Sequence, residues 1–490
     1  MSSPRREPRV IIIGAGMSGI ATAVAFHKAG YRDFIVLEKG SAVGGVWYWN
    51  RYPGLTCDVP SNLYQYDFAL KPDWPRLWAS GDEIRRYHEA VVHRHGLGGH
   101  IRLDTEVVET LWEDDRYRVT TSTGEELVAD FVIMATGLLH HPFIPDIPGL
   151  DDFAGAVVHT AQWDDHIETA GRRIAVLGSG STGVQVVSAL QPSAADLTHF
   201  SRTPQWVLWA PMGLRQPRMI SALFRAVPPI NHALYRLLFW ASGGLADVAL
   251  KPTWRRRVVQ HYARMSLRLQ VRDPLLRRRL TPSDEPLCKR QVVSGSYYQA
   301  IQRPNAAVVT DSISRVSETA IVTADGTKHE VDVIVLATGF QAHQYMRPMN
   351  VRGRDGVTID DVWVKGPRAY QMTAVPGFPN LFTVLGPNSP TGSILLQHTA
   401  SLTAKWIINW LDRWSAGDID SVEVTEEATD AFNTEVRDAL GPTVWNTGCN
   451  SWYLTDDGVV DLYPFDRKKL ESDLHRPADR DFVVVKKRVP

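Results

Sequence analysis

The sequence is poor in cysteine, in long apolar runs and in charge of one sign. Its 490 residues contain three cysteines, Cys57, Cys288 and Cys449, which are far apart and form no Cys-x-x-Cys pair. We therefore expect neither a disulfide framework nor a dithiol redox centre, and a reducing cytoplasm suits such a chain best. No stretch reaches the ~18 uninterrupted apolar residues of a membrane-spanning helix, so no transmembrane segment is predicted. The 53 basic and 54 acidic side chains leave a net charge of −1, which indicates neither nucleic acid nor an acidic polymer as a partner.

Two similar strand–turn–helix units organise this otherwise ordinary globular composition. The first begins with the continuous apolar run 10–13, typical of a buried parallel strand, and enters Gly14-Ala-Gly16-Met-Ser-Gly19. Glycines in such a turn let the backbone approach a pyrophosphate, and the following helix supplies N–H donors. A second strand, residues 34–37, ends at Glu38, whose carboxylate would accept hydrogen bonds from an adenosine ribose. The pattern predicts an FAD site, with a purely structural packing turn as the alternative.

Residues 173–177 repeat the pattern and lead into Gly178-Ser-Gly180-Ser-Thr-Gly183. The next strand delivers Arg202 nineteen residues after this turn, the spacing at which Glu38 follows the first turn. A guanidinium at this position would attract an adenosine 2′-phosphate, so the second unit is predicted to bind NADPH. The alternative for Arg202 is a solvated charge at a strand end.

Two Ala-Thr-Gly segments mark the crossings between these units. Residues 130–137 and 332–339 are both apolar strands that end in Ala-Thr-Gly, and each final glycine gives the chain a point of flexibility. We therefore predict an α/β fold in which a Rossmann-like NADP-binding domain is inserted in a Rossmann-like FAD-binding domain. The predicted boundaries are 1–140 for the first part of the FAD domain, 141–206 for the first part of the NADP domain, 207–288 for a helical insertion, 289–340 for the second part of the NADP domain, and 341–490 for the second part of the FAD domain with a C-terminal lid.

The helical insertion is strongly basic. Residues 207–288 contain fourteen Arg and Lys against four Asp and Glu, an excess of +10. We interpret these charges as solvated helix faces that form salt bridges with the acidic remainder of the chain. Attraction to an anionic surface is the alternative, and peripheral contact with a membrane through this segment is not favoured.

A motif between the two units carries the chemistry. It reads Phe153-x-Gly155-x-x-x-His159-x-x-x-Trp163-Asp164. With this segment the chain resembles the type I Baeyer–Villiger monooxygenases, flavoproteins that insert one oxygen atom of dioxygen beside a carbonyl. Related flavin-containing monooxygenases usually end the motif in Tyr-Lys. The resemblance extends through further segments: Gly44-Gly45-Val-Trp47, Arg51-Tyr-Pro-Gly54, Cys57-Asp58, Ser201-Arg202-Thr203-Pro204, Lys289-Arg290 and Ser451-Trp452-Tyr453.

The resemblance implies roles for individual residues. Arg290 corresponds to the active-site arginine, which keeps a flavin peroxide anionic, and Asp58 would orient it, with an ordinary ion pair as the alternative. Lys289 corresponds to a residue that helps recognise the NADPH phosphate. His159 is expected to couple cofactor movement to domain geometry rather than to act as an acid or base. Further candidates for cofactor contact are Gly45, Trp47, Thr203 and Trp452.

The C-terminal segment departs from the family pattern. Many members continue the Ser-Trp pair with Gly-Ala-Asn-x-Pro-Gly-Lys, which closes over the nicotinamide, whereas this chain continues with Tyr453-Leu-Thr-Asp-Asp-Gly458. The lid is therefore expected to differ, and plain packing is the alternative role of Trp452.

The favoured hypothesis is an FAD- and NADPH-dependent monooxygenase that uses dioxygen to convert a ketone into an ester or lactone, by way of an anionic flavin peroxide that Arg290 stabilises. Oxygenation of a sulfide or amine is a second hypothesis, and a non-catalytic flavoprotein redox sensor is a third. A disulfide reductase is disfavoured because the chain lacks Cys-x-x-Cys. No metal site is predicted, and the identity of the ketone stays open.

Overall fold

The computed structural model describes residues 6–486. In chain order, the strands are β1 (Val10–Ile13), β2 (Phe34–Leu37), β3 (Ile101–Arg102), β4 (Val107–Glu113), β5 (Arg116–Thr121), β6 (Glu126–Ala129), β7 (Phe131–Met134), β8 (Ala156–His159), β9 (Arg173–Leu177), β10 (Asp196–Phe200), β11 (Val207–Leu208), β12 (Val292–Val293), β13 (Ala306–Val309), β14 (Ile313–Val316), β15 (Ala320–Thr323), β16 (Lys328–Glu330), β17 (Val333–Leu336), β18 (Asn350–Arg352), β19 (Leu381–Thr383), β20 (Ser421–Val424) and β21 (Phe482–Val485).

The α-helices are α1 (Met17–Ala29), α2 (Val46–Trp49), α3 (Gly81–Arg94), α4 (Ser181–Leu190), α5 (Arg218–Ala226), α6 (Pro228–Leu250), α7 (Trp254–Gln270), α8 (Pro274–Arg279), α9 (Tyr297–Ala300), α10 (Ile359–Val362), α11 (Leu396–Ser415), α12 (Glu426–Ala439) and α13 (Arg467–Asp473). Short 3₁₀ helices span Leu97–His100, Thr160–Gln162, Ala342–Gln344, Arg354–Gly356, Val444–Asn446 and Asp479–Asp481. Among residues 6–486, no helix is long and apolar enough to cross a membrane.

The first sheet is parallel and has the strand order β19-β7-β1-β2-β3. All four residues of β1 and of β7 are buried, as their continuous apolar sequences predict for central strands covered on both faces. Helix α1 packs against α11, whose Trp406 and Trp410 are fully buried in the same core. The sheet joins residues near the N-terminus to β19, so the chain leaves this domain and returns to it.

The second sheet is also parallel and has the order β13-β10-β9-β17-β8. Strands β8, β9 and β10 precede residues 207–288, whereas β13 and β17 follow them. Both sheets are Rossmann-like, and the second lies within the first in sequence, which agrees with the predicted fold class. The exact domain boundaries stay predictions.

The two Ala-Thr-Gly segments run side by side where the sheets meet. Gly137 and Gly339 have φ values of 76° and 85°, a left-handed conformation that suits glycine. Backbone hydrogen bonds of 2.9 Å join the N–H of Phe143 to the carbonyl of Gly339 and the N–H of Gln341 to the carbonyl of His141. The two linkers, residues 135–143 and 337–341, therefore contact one another directly.

The expectation that the cysteines stay unpaired is wrong for two of them. Cys288 and Cys449 form a disulfide between buried residues whose Cα atoms lie 6.2 Å apart. They are separated by 161 residues, and folding brings them together at the base of the C-terminal loop. Cys57 is free and buried. The bond ties the end of the helical insertion to the predicted lid segment.

Candidate active site

A central cavity of about 1510 Å³ lies where the two sheets, the helical insertion and the C-terminal loop meet. Both glycine turns line it, at the carboxyl ends of β1 and β9 where parallel sheets bind nucleotides. The linkers line it as well, together with residues from α6 and the segment 450–453. Both nucleotide sites therefore open into one chamber.

The first glycine turn has no room for side chains. A Cβ on Gly14, where φ is 104°, would lie 2.6 Å from the carbonyl oxygen of Ala135, and one on Gly19 would lie 1.9 Å from that of Gly14. Gly16 faces Gly45, whose added Cβ would lie 2.8 Å from the Gly16 Cα. The exposed backbone at the start of α1 thus forms a cradle that fits a pyrophosphate.

Glu38 lies at the edge of this cradle. Its carboxylate accepts hydrogen bonds from the N–H of Ala15 at 2.7 Å and of Gly40 at 2.8 Å. Burial raises the pKa of Glu38, and these two donors oppose the shift. The carboxylate lines the cavity with lone pairs to spare, which fits a ribose. Trp47 lines the same wall, where its indole N–H donates to the hydroxyl of Tyr64 at 3.2 Å.

The second turn repeats this geometry. A Cβ on Gly178 would lie 2.2 Å from the carbonyl oxygen of Ala337, and one on Gly183 would lie 1.9 Å from that of Gly178. A Cβ on Gly180 would meet nothing within 4 Å, because this glycine faces the open cavity. The turn is held to the next strand end, since the hydroxyl of Ser179 donates to the carbonyl of Thr203 at 2.6 Å.

The predicted phosphate-binding cations occupy a more crowded setting than the sequence indicates. Arg202 and Thr203 are exposed and line both the central cavity and a neighbouring cavity of about 520 Å³. Residues of the helical insertion complete that smaller cavity: Leu275, Arg278, Arg279, Thr281 and Ser283. Lys289 forms a 2.6 Å ion pair with Asp284. The insertion therefore adds Arg278 and Arg279 beside Arg202, and Asp284 beside Lys289. No role in the site was predicted for these three residues from the sequence.

The Asp58 carboxylate and the backbone carbonyl of Thr391 fix Arg290 at the cavity wall. Nη2 of Arg290 donates to both Asp58 carboxylate oxygens, at 2.9 Å and 3.1 Å, and Nε donates to one of them at 3.1 Å. Nη1 donates to the carbonyl of Thr391 at 2.6 Å. The Asp58 carboxylate raises the pKa of Arg290 further above its ordinary value. The Arg290 side chain is still 38% exposed, and it lines the cavity. A permanent cation therefore faces the chamber in a fixed orientation.

The C-terminal loop reaches the same arginine. Tyr453 is buried, and burial raises the pKa of its hydroxyl while the neighbouring Arg290 charge opposes the shift. Its ring lies 4.6 Å from that of Trp452, which is half-buried and lines the cavity. Thr391 and Tyr453 had no assigned role in the sequence analysis. The Ser-Trp-Tyr segment was a usable signal for Tyr453, but the Thr391 carbonyl is a backbone group that any residue type carries.

The motif at 153–164 serves the packing of the NADP domain onto its linker. A Cβ on Gly155 would lie 2.3 Å from the carbonyl oxygen of Asp332 and 2.5 Å from the ring of Phe153, so only glycine fits. Trp163 is buried in the core of the second sheet. Asp164 is exposed and accepts a hydrogen bond from the N–H of His166 at 2.9 Å.

His159 ends β8 and is buried against the second linker. Its Nδ1 accepts a hydrogen bond from the N–H of Ala161 at 3.1 Å, and its ring packs edge-on against Phe340 at 6.1 Å. Burial lowers the pKa of His159, which the nearby Gly339 backbone partly offsets. A neutral imidazole packed on the linker has the placement of a coupling element, whereas Ala161 and Gln162 of the same segment line the cavity.

Two dinucleotide turns and a fixed guanidinium around one chamber define a flavin- and pyridine-nucleotide-dependent oxidoreductase. In agreement, residues 11–212 match a family model described as pyridine nucleotide-disulphide oxidoreductase. An uncharacterized monooxygenase of Mycobacterium tuberculosis is 48% identical, with 94% of this chain and 92% of that protein covered.

A protein named Baeyer–Villiger monooxygenase from Streptomyces coelicolor is 39% identical over 92% of this chain and 87% of its own length. The solved structure of cyclohexanone monooxygenase from a Rhodococcus species bound to NADP+ matches with a TM-score of 0.85 and 29% identity, covering 98% of this chain and 99% of that one. The chain belongs to the Baeyer–Villiger monooxygenases, and its cofactors are FAD and NADP(H).

Proposed function

We propose that this protein converts a ketone into an ester or lactone with NADPH and dioxygen, and that Arg290 is the catalytic cation. The observation that carries the proposal is the Arg290 guanidinium, which Asp58 and the Thr391 carbonyl hold at the wall of the chamber that both nucleotide turns line. Bound FAD, once reduced, supplies the electrons that activate dioxygen. The substrate class and the roles of individual residues are the parts of this proposal that experiment must test.

The glycine turns and their flanking charges bind and orient the two nucleotides. The cradle at Gly14–Gly19 holds a pyrophosphate through backbone N–H groups, and Glu38 accepts from a ribose. The second turn does the same for NADPH. Arg202, with Arg278 and Arg279 across the smaller cavity, supplies positive charge for the 2′-phosphate. Lys289 contributes less than its charge suggests, because Asp284 neutralises part of it.

Arg290 stabilises negative charge that develops on oxygen during transfer to the carbonyl. Its pKa lies above the range in which a side chain loses a proton at neutral pH, so the cation persists throughout turnover. Asp58 and Thr391 fix its orientation before the reaction begins, which avoids the cost of reorganising dipoles in the transition state. The exposed part of the guanidinium faces the cavity, where the substrate must lie.

His159 and the two linkers couple the position of the NADP domain to the wall of the chamber. His159 packs on Phe340, and the linker that carries Phe340 is hydrogen-bonded to the other linker. A shift of the NADP domain therefore moves both segments at the cavity wall. We assign His159 a positioning role. A cytoplasmic location remains a prediction, and the Cys288–Cys449 disulfide removes the cysteine argument for it.

The test is a panel of cyclic, linear and aromatic ketones incubated with FAD-loaded protein, NADPH and isotope-labelled dioxygen. The proposal expects an ester or lactone that carries one labelled oxygen atom, formed with matching NADPH consumption. A matched panel of sulfides and amines distinguishes the other oxygenation chemistry. Oxygenated sulfides or amines without any ester from the ketones would overturn the ketone assignment.

A further inference from the structure

Helix α5 and the first half of α6 present an exposed apolar face. Met219 is 84% exposed, Leu237 59% and Trp240 71%. We use the term α5–α6 face for six exposed residues: Met219, Leu223, Val227, Ile230, Leu237 and Trp240. Exposed large side chains scattered singly are common, but a set on two adjoining helices requires an explanation.

Helix α6 is apolar on two sides, one turned to the core and one turned outward. Asn231 and Tyr235, four residues apart, are buried, whereas Ile230 and Leu237, seven residues apart, are exposed. Trp240 lies three residues beyond Leu237 and continues the exposed stripe. Helical amphipathicity normally turns the apolar stripe toward the core. Helix α6 has such a stripe, with Tyr235 and Phe239 packed inward, but it carries a second apolar stripe that faces outward. Packing within the chain does not account for this second stripe.

The charges carried by the segment that forms this face have one sign. Residues 207–246 contain no Asp or Glu, and their four arginines, Arg215, Arg218, Arg225 and Arg236, are all exposed. Arg225 pairs with Asp73 at 2.6 Å. For the other three, no ion pair occurs within the part of the chain that the structure describes. Of the salt bridges expected between these four arginines and the acidic remainder, the described residues therefore form the one with Asp73.

We propose that the α5–α6 face docks on a lipid bilayer that contains anionic headgroups. A second copy of this chain would place arginines against arginines, whereas such a bilayer offers an apolar layer and the opposite charge together. Tryptophan suits the boundary between acyl chains and headgroups, and arginine extends its charge to phosphate while its stem stays apolar. Contact is peripheral, through side chains of a helix that lies on the surface.

The docked face is continuous with the chamber. Helix α6 begins in the exposed face, and its later residues Ser242 and Ala246 line the central cavity. Its 23 residues span about 35 Å, so docking places the chamber within one helix length of the bilayer. This inference goes beyond the proposed reaction and does not depend on it.

The experiment is vesicle flotation of the FAD-loaded protein. Vesicles of phosphatidylcholine alone are compared with vesicles of phosphatidylcholine and phosphatidylglycerol, at low and high salt. The test variant is Leu237→Ser/Trp240→Ser. The matched control, Val364→Ser/Val483→Ser, removes equally exposed apolar side chains outside residues 207–288. The electrostatic part is tested with Arg218→Gln/Arg236→Gln, and its matched control, Arg315→Gln/Arg480→Gln, removes two exposed arginines outside the insertion. Flavin absorbance and thermal melting verify that each variant is folded.

We expect the wild type and both controls to float with anionic vesicles, and less so at high salt, since salt screens the arginines. Both α5–α6 variants should lose flotation by about fivefold or more, because each removes one part of a two-part anchor. Failure of the wild type to float, or equal flotation of Leu237→Ser/Trp240→Ser, would overturn the proposal. If light scattering shows that the wild type is a dimer and that Leu237→Ser/Trp240→Ser is not, the α5–α6 face binds a second copy of the chain, and the proposal is overturned.

Discussion

Replacing Arg290 with alanine should separate flavin reduction from oxygen transfer. The variant removes the cation at the cavity wall and leaves the Asp58 carboxylate and the Thr391 carbonyl without their donor. Loss of one preorganised donor from a developing oxyanion typically costs about 10²–10³-fold in rate, or about 3–4 kcal/mol. FAD should stay bound, because the first glycine turn and Glu38 are untouched.

Asp58→Asn provides the graded comparison. It keeps one oxygen that accepts from Arg290 but removes the carboxylate charge, while the Thr391 contact and the cation remain. Because the Arg290 side chain is 38% exposed, solvent screens the ion pair, and we expect the pair to contribute on the order of 1 kcal/mol. Oxygen transfer should therefore fall only about fivefold to tenfold. Arg290→Ala should have the larger effect on oxygen transfer, because it removes the cation, whereas Asp58→Asn leaves the cation in place.

The assay mixes each variant with NADPH without oxygen, records the loss of flavin absorbance, and then admits air. Arg290→Ala should still bleach its flavin, then consume NADPH with release of hydrogen peroxide in place of ester. The ratio of ester to NADPH should fall in the order wild type, Asp58→Asn, Arg290→Ala. An unchanged ratio in Arg290→Ala would refute the reasoning and leave Arg290 as a structural partner of Asp58.

Three further predictions concern the rest of the chain. Arg202→Ala and Arg279→Ala should each raise the KM for NADPH about tenfold or more and leave the KM for NADH nearly unchanged, because only NADPH carries the 2′-phosphate. Equal effects on the KM of both coenzymes would contradict this prediction. Cys449→Ser should lower the free energy of unfolding by about 2–4 kcal/mol in denaturant titration, since it opens a loop of 161 residues, and non-reducing peptide mapping of the wild type should recover the linked peptides. Burial lowers the pKa of His199 from 6.5 to about 4. As the pH is lowered, the unfolded chain therefore binds a proton at this residue before the folded protein does, and the free energy of unfolding should decrease from about pH 6.5 to about pH 4. His199→Gln should flatten that slope, and an unchanged slope would show that His199 is not responsible.

Several elements of the fold and site follow from the sequence because their causes are local. The runs 10–13 and 173–177 form β1 and β9. Within the turns that follow, a Cβ on Gly19 or Gly183 would lie 1.9 Å from the carbonyl oxygen of the first glycine of the same turn. The pairing of Arg290 with Asp58 was predicted from the family resemblance, and the structure places their side chains in contact. The roles assigned to these residues stay predictions.

The errors and omissions share a different cause. Cys288 and Cys449 have no local pattern, and the contact of Arg290 with Thr391 uses a carbonyl that every residue type has. Asp284 neutralises part of Lys289 only because the chain turns back on itself there. The disulfide and the Thr391 contact depend on where a remote segment lies after folding, whereas the Lys289–Asp284 pair depends on the turn between these two residues.

The sequence by itself determined the two nucleotide-binding turns, because the positive φ of Gly14 and Gly178 and the close approach of Gly19 and Gly183 to them arise within each turn. It also determined that the insertion at residues 207–288 is helical. Only the tertiary structure decided which side of α6 faces outward, which arginines surround the second turn, and which groups hold Arg290. These outcomes depend on packing between segments distant in sequence, and a helical period specifies a stripe but not the direction in which it points.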